Sequence, residues 1–103
     1  MADNYRLTTL DVVVVEEHLG FSFTGMCRAS GADATQLQAM VEEGLLQPMG
    51  RSPDDWHFSG ESLARARQAL RLANDLDLGL SGAAVVMDLL AEIETLRSRL
   101  RRF

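Results

Sequence analysis

The sequence predicts a mainly α-helical fold. It is organised around a helix-turn-helix, with a short N-terminal strand, a wing-like loop, a long third helix and a C-terminal dimerisation helix. Three observations carry that prediction. Two short helical patterns flank a glycine turn between residues 20 and 48. A turn-rich stretch, "MGRSPDD", divides them from a third helical pattern. A seam of apolar residues spaced 3, 4, 3, 4 and 3 apart then runs to the last residue.

Each element has its own justification. "LDVVVV", Leu10 to Val15, is short and β-branched and reads as a strand, with a buried helical start as the alternative. Thr24 is placed to cap a short helix, "GMCRAS", that stops at Gly31. Asp33 and Gln36 make a D-x-x-Q capping box for the second helix. Leu37, Met40 or Val41, and Leu45 would then face inward. Gly44 supplies the C-terminal turn, and Pro48 prevents any return to helix. "WHF" is a brief extended piece in which Trp56 and Phe58 are expected to be structural. Ser59 can cap the third helix, roughly Gly60 to Asp77, whose Leu63, Ala66, Leu70 and Ala73 line one face. Gly79, Ser81 and Gly82 separate it from the fourth helix, which runs from about Ser81 to near the end. Such a chain of 103 residues fits one domain. Its parts are an N-terminal strand and extension (1–19), the helix-turn-helix (20–48), the wing-like loop (49–59), the third helix (60–80) and the dimerising helix (81–103).

The fourth helix has the strictest pattern. Val86, Leu89, Ile93, Leu96, Leu100 and Phe103 form an a/d seam of just over two heptads. The preferred reading pairs Leu89, Ile93, Leu96 and Leu100 with their symmetry mates in a homodimer. A seam folded back onto the third helix is the alternative.

Charge is unevenly spread. Residues 1 to 59 hold three arginines against nine carboxylates, a net −6, whereas residues 60 to 80 balance and residues 81 to 103 come to +1. The second helix, the one that would read DNA, carries Glu42 and Glu43 and no basic or aromatic residue. A polyanion is repelled by such a field, and a basic partner is steered to it. Glu42, Glu43, Asp54 and Asp55 are therefore the candidate partner-binding residues, with a merely solvated acidic face as the plainer alternative. No run is long enough to cross a bilayer, the start lacks the order of a signal peptide, and Cys27 is alone. A cytoplasmic protein is expected.

No catalytic constellation, metal-ligand pattern or cofactor motif is present in the sequence. His18 and His57 stand apart with no motif around them, and one cysteine with two histidines does not make a zinc pattern. Glu42–Glu43 and Asp54–Asp55 are adjacent pairs, and adjacent residues on a helix point to different sides. The protein is expected not to be an enzyme and to need no cofactor or metal.

The order of elements resembles the MerR-type DNA-binding fold. That family carries an Arg followed by aromatics before an acidic end and "GL". Here the run is Leu37-Gln38-Ala39-Met40-Val41-Glu42-Glu43-Gly44-Leu45, with Gln38, Ala39 and Met40 at those places. After the wing the family has an Arg, one residue and a Tyr, and this chain has Trp56-His57-Phe58. The same departures resemble the CbpM-type chaperone modulators, a MerR-like branch. The resemblance lies in Phe23-Thr24 leading to Cys27 and Gly31, in Val41 to Pro48, and in Trp56 and Phe58. It continues through Arg71 to Leu78 and the ending Arg99-Leu100-Arg101-Arg102-Phe103. It implies a protein that binds the J-domain of CbpA, a DnaJ-like co-chaperone, and blocks its handoff to a DnaK-type partner. The alternative is a MerR-like DNA-binding transcriptional regulator. A small-molecule sensor based on Cys27 is weaker still, because paired ligands are missing.

Overall fold

The computed structural model describes residues 12–15 and 18–102, with side chains from Gly20 onward. The expectations for the rest of the N-terminal segment and for Phe103 lie outside the described residues. The elements run β1 (Val12–Val15), β2 (His18–Ser22), α1 (Phe23–Ser30), α2 (Ala34–Glu42), a 3-10 turn (Pro53–Asp55), β3 (His57–Phe58), α3 (Gly60–Asp75) and α4 (Leu80–Arg101). The fold is therefore the mainly helical one that the pattern predicts.

The sheet is antiparallel, with β2 between β1 and β3. Val12 faces Phe21, Val15 faces His18, and Phe21 faces Phe58 across β2 and β3. The sequence pattern does not announce β2. "HLGFS" contains a glycine and no β-branched residue, and its strand state depends on the partners to either side.

Helix α1 starts two residues earlier than expected. Its cap is Ser22, whose Oγ accepts the Gly25 N–H at 3.0 Å, so Thr24 lies inside the helix. It stops where Gly31 adopts a left-handed φ of 84° and donates its N–H to the Cys27 carbonyl. In α2 the capping box is complete. Asp33 Oδ1 accepts the Gln36 N–H at 2.7 Å, and Gln36 Oε1 accepts the Asp33 N–H at 3.0 Å. At the other end Gly44 has φ 79°, the Leu45 N–H reaches the Met40 carbonyl, and the Gly44 N–H reaches the Val41 carbonyl. That paired closure satisfies carbonyls that a helix end otherwise leaves bare.

The core sits where α1, α2 and α3 meet the sheet. Met26, Leu37, Met40 and Phe58 are fully buried, and α3 adds Leu63, Ala66 and Ala69. Val41, the alternative inward residue of α2, is only half-buried. Two α3 arginines tie the helix-turn-helix down. Arg65 Nε donates to the Leu45 carbonyl at 2.8 Å, and Arg67 Nε and Nη2 both donate to the Ala29 carbonyl, at 3.2 and 3.0 Å. Helix α3 is capped by the Ser59 hydroxyl, as expected, and closes with Asp77 at φ 53°. Gly82 does not separate the last two helices: it lies inside α4, against Leu78.

Candidate functional site

The outward side of α2 is polar and open to solvent. Thr35, Gln38 and Glu42 are exposed and fall three and four residues apart, on one side of the helix. None is basic. Glu42 closes the helix and Glu43 is its cap residue, and no basic side chain stands in the last turn. Two carboxylates at the negative end of a helix dipole are unfavourable, by about 0.3–1 kcal/mol each at an exposed site. Glu43 also accepts a hydrogen bond from the Ser81 hydroxyl, which ties the end of α2 to the first turn of α4.

The wing holds the second acidic pair. Met49 and His57 exchange both backbone hydrogen bonds at 2.9 Å and close the loop as a hairpin. Gly50, at φ 117°, lets the strand turn, and a Cβ there would collide with the Asp55 carbonyl. The 3-10 turn then presents Asp54 and Asp55 at the tip, both exposed. Asp55 Oδ1 stands 3.5 Å from His57 Nε2. Trp56 is half-buried, edge-on to Phe58 with ring centroids 6.3 Å apart, while Phe58 is fully buried. Of the wing aromatics, Phe58 is thus the core residue and Trp56 covers it.

The last helix has two apolar sides. Leu80, Ala83, Ala84 and Met87 face the core. Leu89, Ile93, Leu96 and Leu100 are exposed by 58, 45, 47 and 73%, and Val85 by 58%. By the 3.6-residue repeat, these five lie on the opposite side of the cylinder from the core-facing set. The seam is therefore neither shared with the core nor folded back onto α3. Asp88 and Glu92 are exposed on the same helix, four residues apart, a like-charge spacing that costs about 0.2–0.5 kcal/mol. Glu94, by contrast, is paired with Arg101 at 3.1 Å.

Other chemistry is thin. The Cys27 thiol is pushed up by burial and by the neighbouring Asp33 charge, the reverse of what activates a nucleophile. No group of three or more potential metal ligands occurs among the described residues. A cleft of about 710 Å³ opens between the α1–α2 turn and the α3–α4 corner, with Leu70, Leu78 and Leu80 among its lining and Arg71 and Asn74 beside them. No helix among the described residues is long and apolar enough to cross a membrane.

Residues 21–103 match the family model described as MerR HTH family regulatory protein. Among curated proteins the chain is similar to the chaperone modulatory protein CbpM of Pseudomonas putida, at 34% identity over 73 residues, 71% of this chain and 72% of the relative. It is similar to that of Pseudomonas entomophila at 32% over the same lengths of chain, 71 and 72%. The CbpM of Coxiella burnetii is 44% identical over 62 residues, 60% of this chain and 58% of the relative. These relatives are named as modulators and not as enzymes.

Proposed function

Because the chain belongs to the MerR helix-turn-helix family, and within it to the CbpM chaperone-modulatory proteins, we propose that it binds the J-domain of a CbpA-type, DnaJ-like co-chaperone and inhibits it. The inhibition would be steric: the J-domain surface that a DnaK-type partner needs is covered. The chaperone-modulating role goes with the family. The J-domain and the blocking mode are our reading.

The observation that carries this reading is the exposed face of α2, where Thr35, Gln38 and Glu42 stand and no cation does. A protein that holds DNA presents several Lys or Arg to phosphates. Here Arg65 and Arg67, two cations near the helix-turn-helix, are turned inward onto backbone carbonyls. Glu42 and Glu43 at the end of α2, with Asp54 and Asp55 on the wing, would meet a basic helix of the J-domain. Charge would speed the encounter and apolar contact would hold the complex. The whole chain acts as one domain in this reading, and the partner places it in the cytoplasm.

We also propose a homodimer through α4. The exposed stripe from Leu89 to Leu100 spans about 16 Å of helix and needs a cover. A second copy supplies the same stripe, as a two-fold interface requires.

Fold membership alone favours the second reading, a DNA-binding regulator. The test is the ATPase rate of a DnaK-type chaperone stimulated by a CbpA-type co-chaperone. Titrating in this protein should reduce the stimulation to the unstimulated level, and a duplex DNA added in excess should not reverse it. Unchanged stimulation at saturating protein would reject the proposal.

A further inference from the structure

We propose that the docking face continues from the helix-turn-helix onto α4, along Glu43, Ser81, Val85, Asp88 and Glu92, and that it takes a basic amphipathic helix lying across both elements. This rests on the J-domain reading and names the surface on which that partner sits.

Four observations converge on it. Ser81, Val85, Asp88 and Glu92 are spaced 4, 3 and 4 apart, which puts them on one side of α4. All four are exposed, and so is Glu43. The Ser81 hydroxyl donates to the Glu43 carboxylate, so the end of α2 adjoins the head of that stripe. Helices α2 and α4 are also in direct contact. The two acidic elements that look separate in the sequence thus form one surface.

The charges on this face are not neutralised locally: Glu43 is held by a neutral hydroxyl, that of Ser81. Among the described residues, Asp88 and Glu92 have no ion pair, although Glu94 two residues on is paired with Arg101. Asp88 and Glu92 repel one another across a single helical turn. Glu42 and Glu43 stand at the unfavourable end of the α2 dipole. Each arrangement raises the negative potential at the cost of the folded chain, and a cationic partner relieves all of them together. Val85, 58% exposed, supplies an apolar contact in the midst of the acids, which a purely solvated face does not need.

The dimension fits one occupant. Ser81 to Glu92 spans about 16 Å, roughly three turns of a docking helix. The dimer seam at Leu89, Ile93, Leu96 and Leu100 lies about a quarter turn away around α4. A second copy on the seam would leave Asp88 and Glu92 at the rim, so both partners can be held at once.

The experiment titrates an isolated CbpA-type J-domain into the full chain by calorimetry at low and physiological salt. Circular dichroism and sedimentation are run on every variant. Asp88→Lys with Glu92→Lys should weaken binding roughly tenfold and flatten its salt dependence, and Asp88→Asn with Glu92→Gln should weaken it less. If the reversed pair binds like the wild type while Glu42→Lys with Glu43→Lys binds weakly, the α4 extension is overturned and the J-domain reading survives. If the reversed pair loses helix or mass, the neutral pair decides, and unchanged binding by it overturns the extension. A wild-type chain that does not bind the J-domain removes the reading and this inference together.

Discussion

Helices α3 and α4 are both long, and both were legible as apolar patterns, yet they sit in the molecule differently. Helix α3 puts Leu63, Ala66 and Ala69 into the core and spends Arg65 and Arg67 on carbonyls of the helix-turn-helix. Its start is fixed by the Ser59 hydroxyl. Helix α4 buries only Ala83 and Met87, and its cap residue, Gly79, provides no side-chain hydrogen bond. Beyond Met87 it carries Leu89, Ile93, Leu96 and Leu100 in the open, on the side away from the core. A heptad seam in sequence says that an apolar face exists. It does not say whether the chain's own core or another molecule covers it, and here α4 turns one face to the core and leaves the other exposed.

Charge placed on each helix should separate the two roles. Ala66→Asp buries a carboxylate at a fully covered position and should destabilise the chain by about 3–5 kcal/mol or more, read by urea denaturation. Ile93→Asp with Leu100→Asp should leave the domain folded and shift sedimentation from dimer to monomer, a loss of several kcal/mol in association. A double variant that remains a folded dimer breaks the comparison, because the seam would then not be the interface.

The wing aromatics sharpen the same contrast on a smaller scale. Phe58→Ala should cost about 3–5 kcal/mol, since Phe58 is fully buried in the core with α3. Trp56→Ala should cost less, about 2 kcal/mol, because Trp56 is only half-buried. If the Trp56 variant keeps full stability but loses its partner, Trp56 is a binding anchor and not a structural cover.

Helix starts give the smallest effects. Ser59→Ala removes the α3 cap and should lower stability by about 1 kcal/mol in thermal unfolding. Gly79→Ser adds a cap to α4, in space that admits a Cβ, and should raise stability by a few tenths of a kcal/mol, on the order of 0.3. Equal and opposite changes of similar size would mean that the two helix starts are specified alike.

How far the fold was legible follows from where its information lies. The Asp33–Gln36 capping box, the turns at Gly31 and Gly44 and the Ser59 cap are local, and each was readable from neighbours within a few residues. Strand β2 was not, because "HLGFS" becomes a strand only between β1 and β3. The same holds for Ser22, which caps α1 from the end of that strand. The inward turn of Arg65 and Arg67 depends on carbonyls 20 and 38 residues away, which no local pattern indicates. The acids of the candidate surface were visible one pair at a time. Their union with Asp88 and Glu92 needed the contact between Glu43 and Ser81, a tertiary fact.

The central claim is that this helix-turn-helix recognises a basic protein and not a nucleic acid. Fluorescence anisotropy with one protein preparation tests it most directly, with a labelled CbpA-type J-domain in one titration and a labelled DNA duplex in the other, across a salt series. The account predicts saturable binding of the J-domain that weakens with salt, and no saturable binding of the duplex at physiological ionic strength. Tight, steeply salt-dependent binding of the duplex with no response from the J-domain would contradict it.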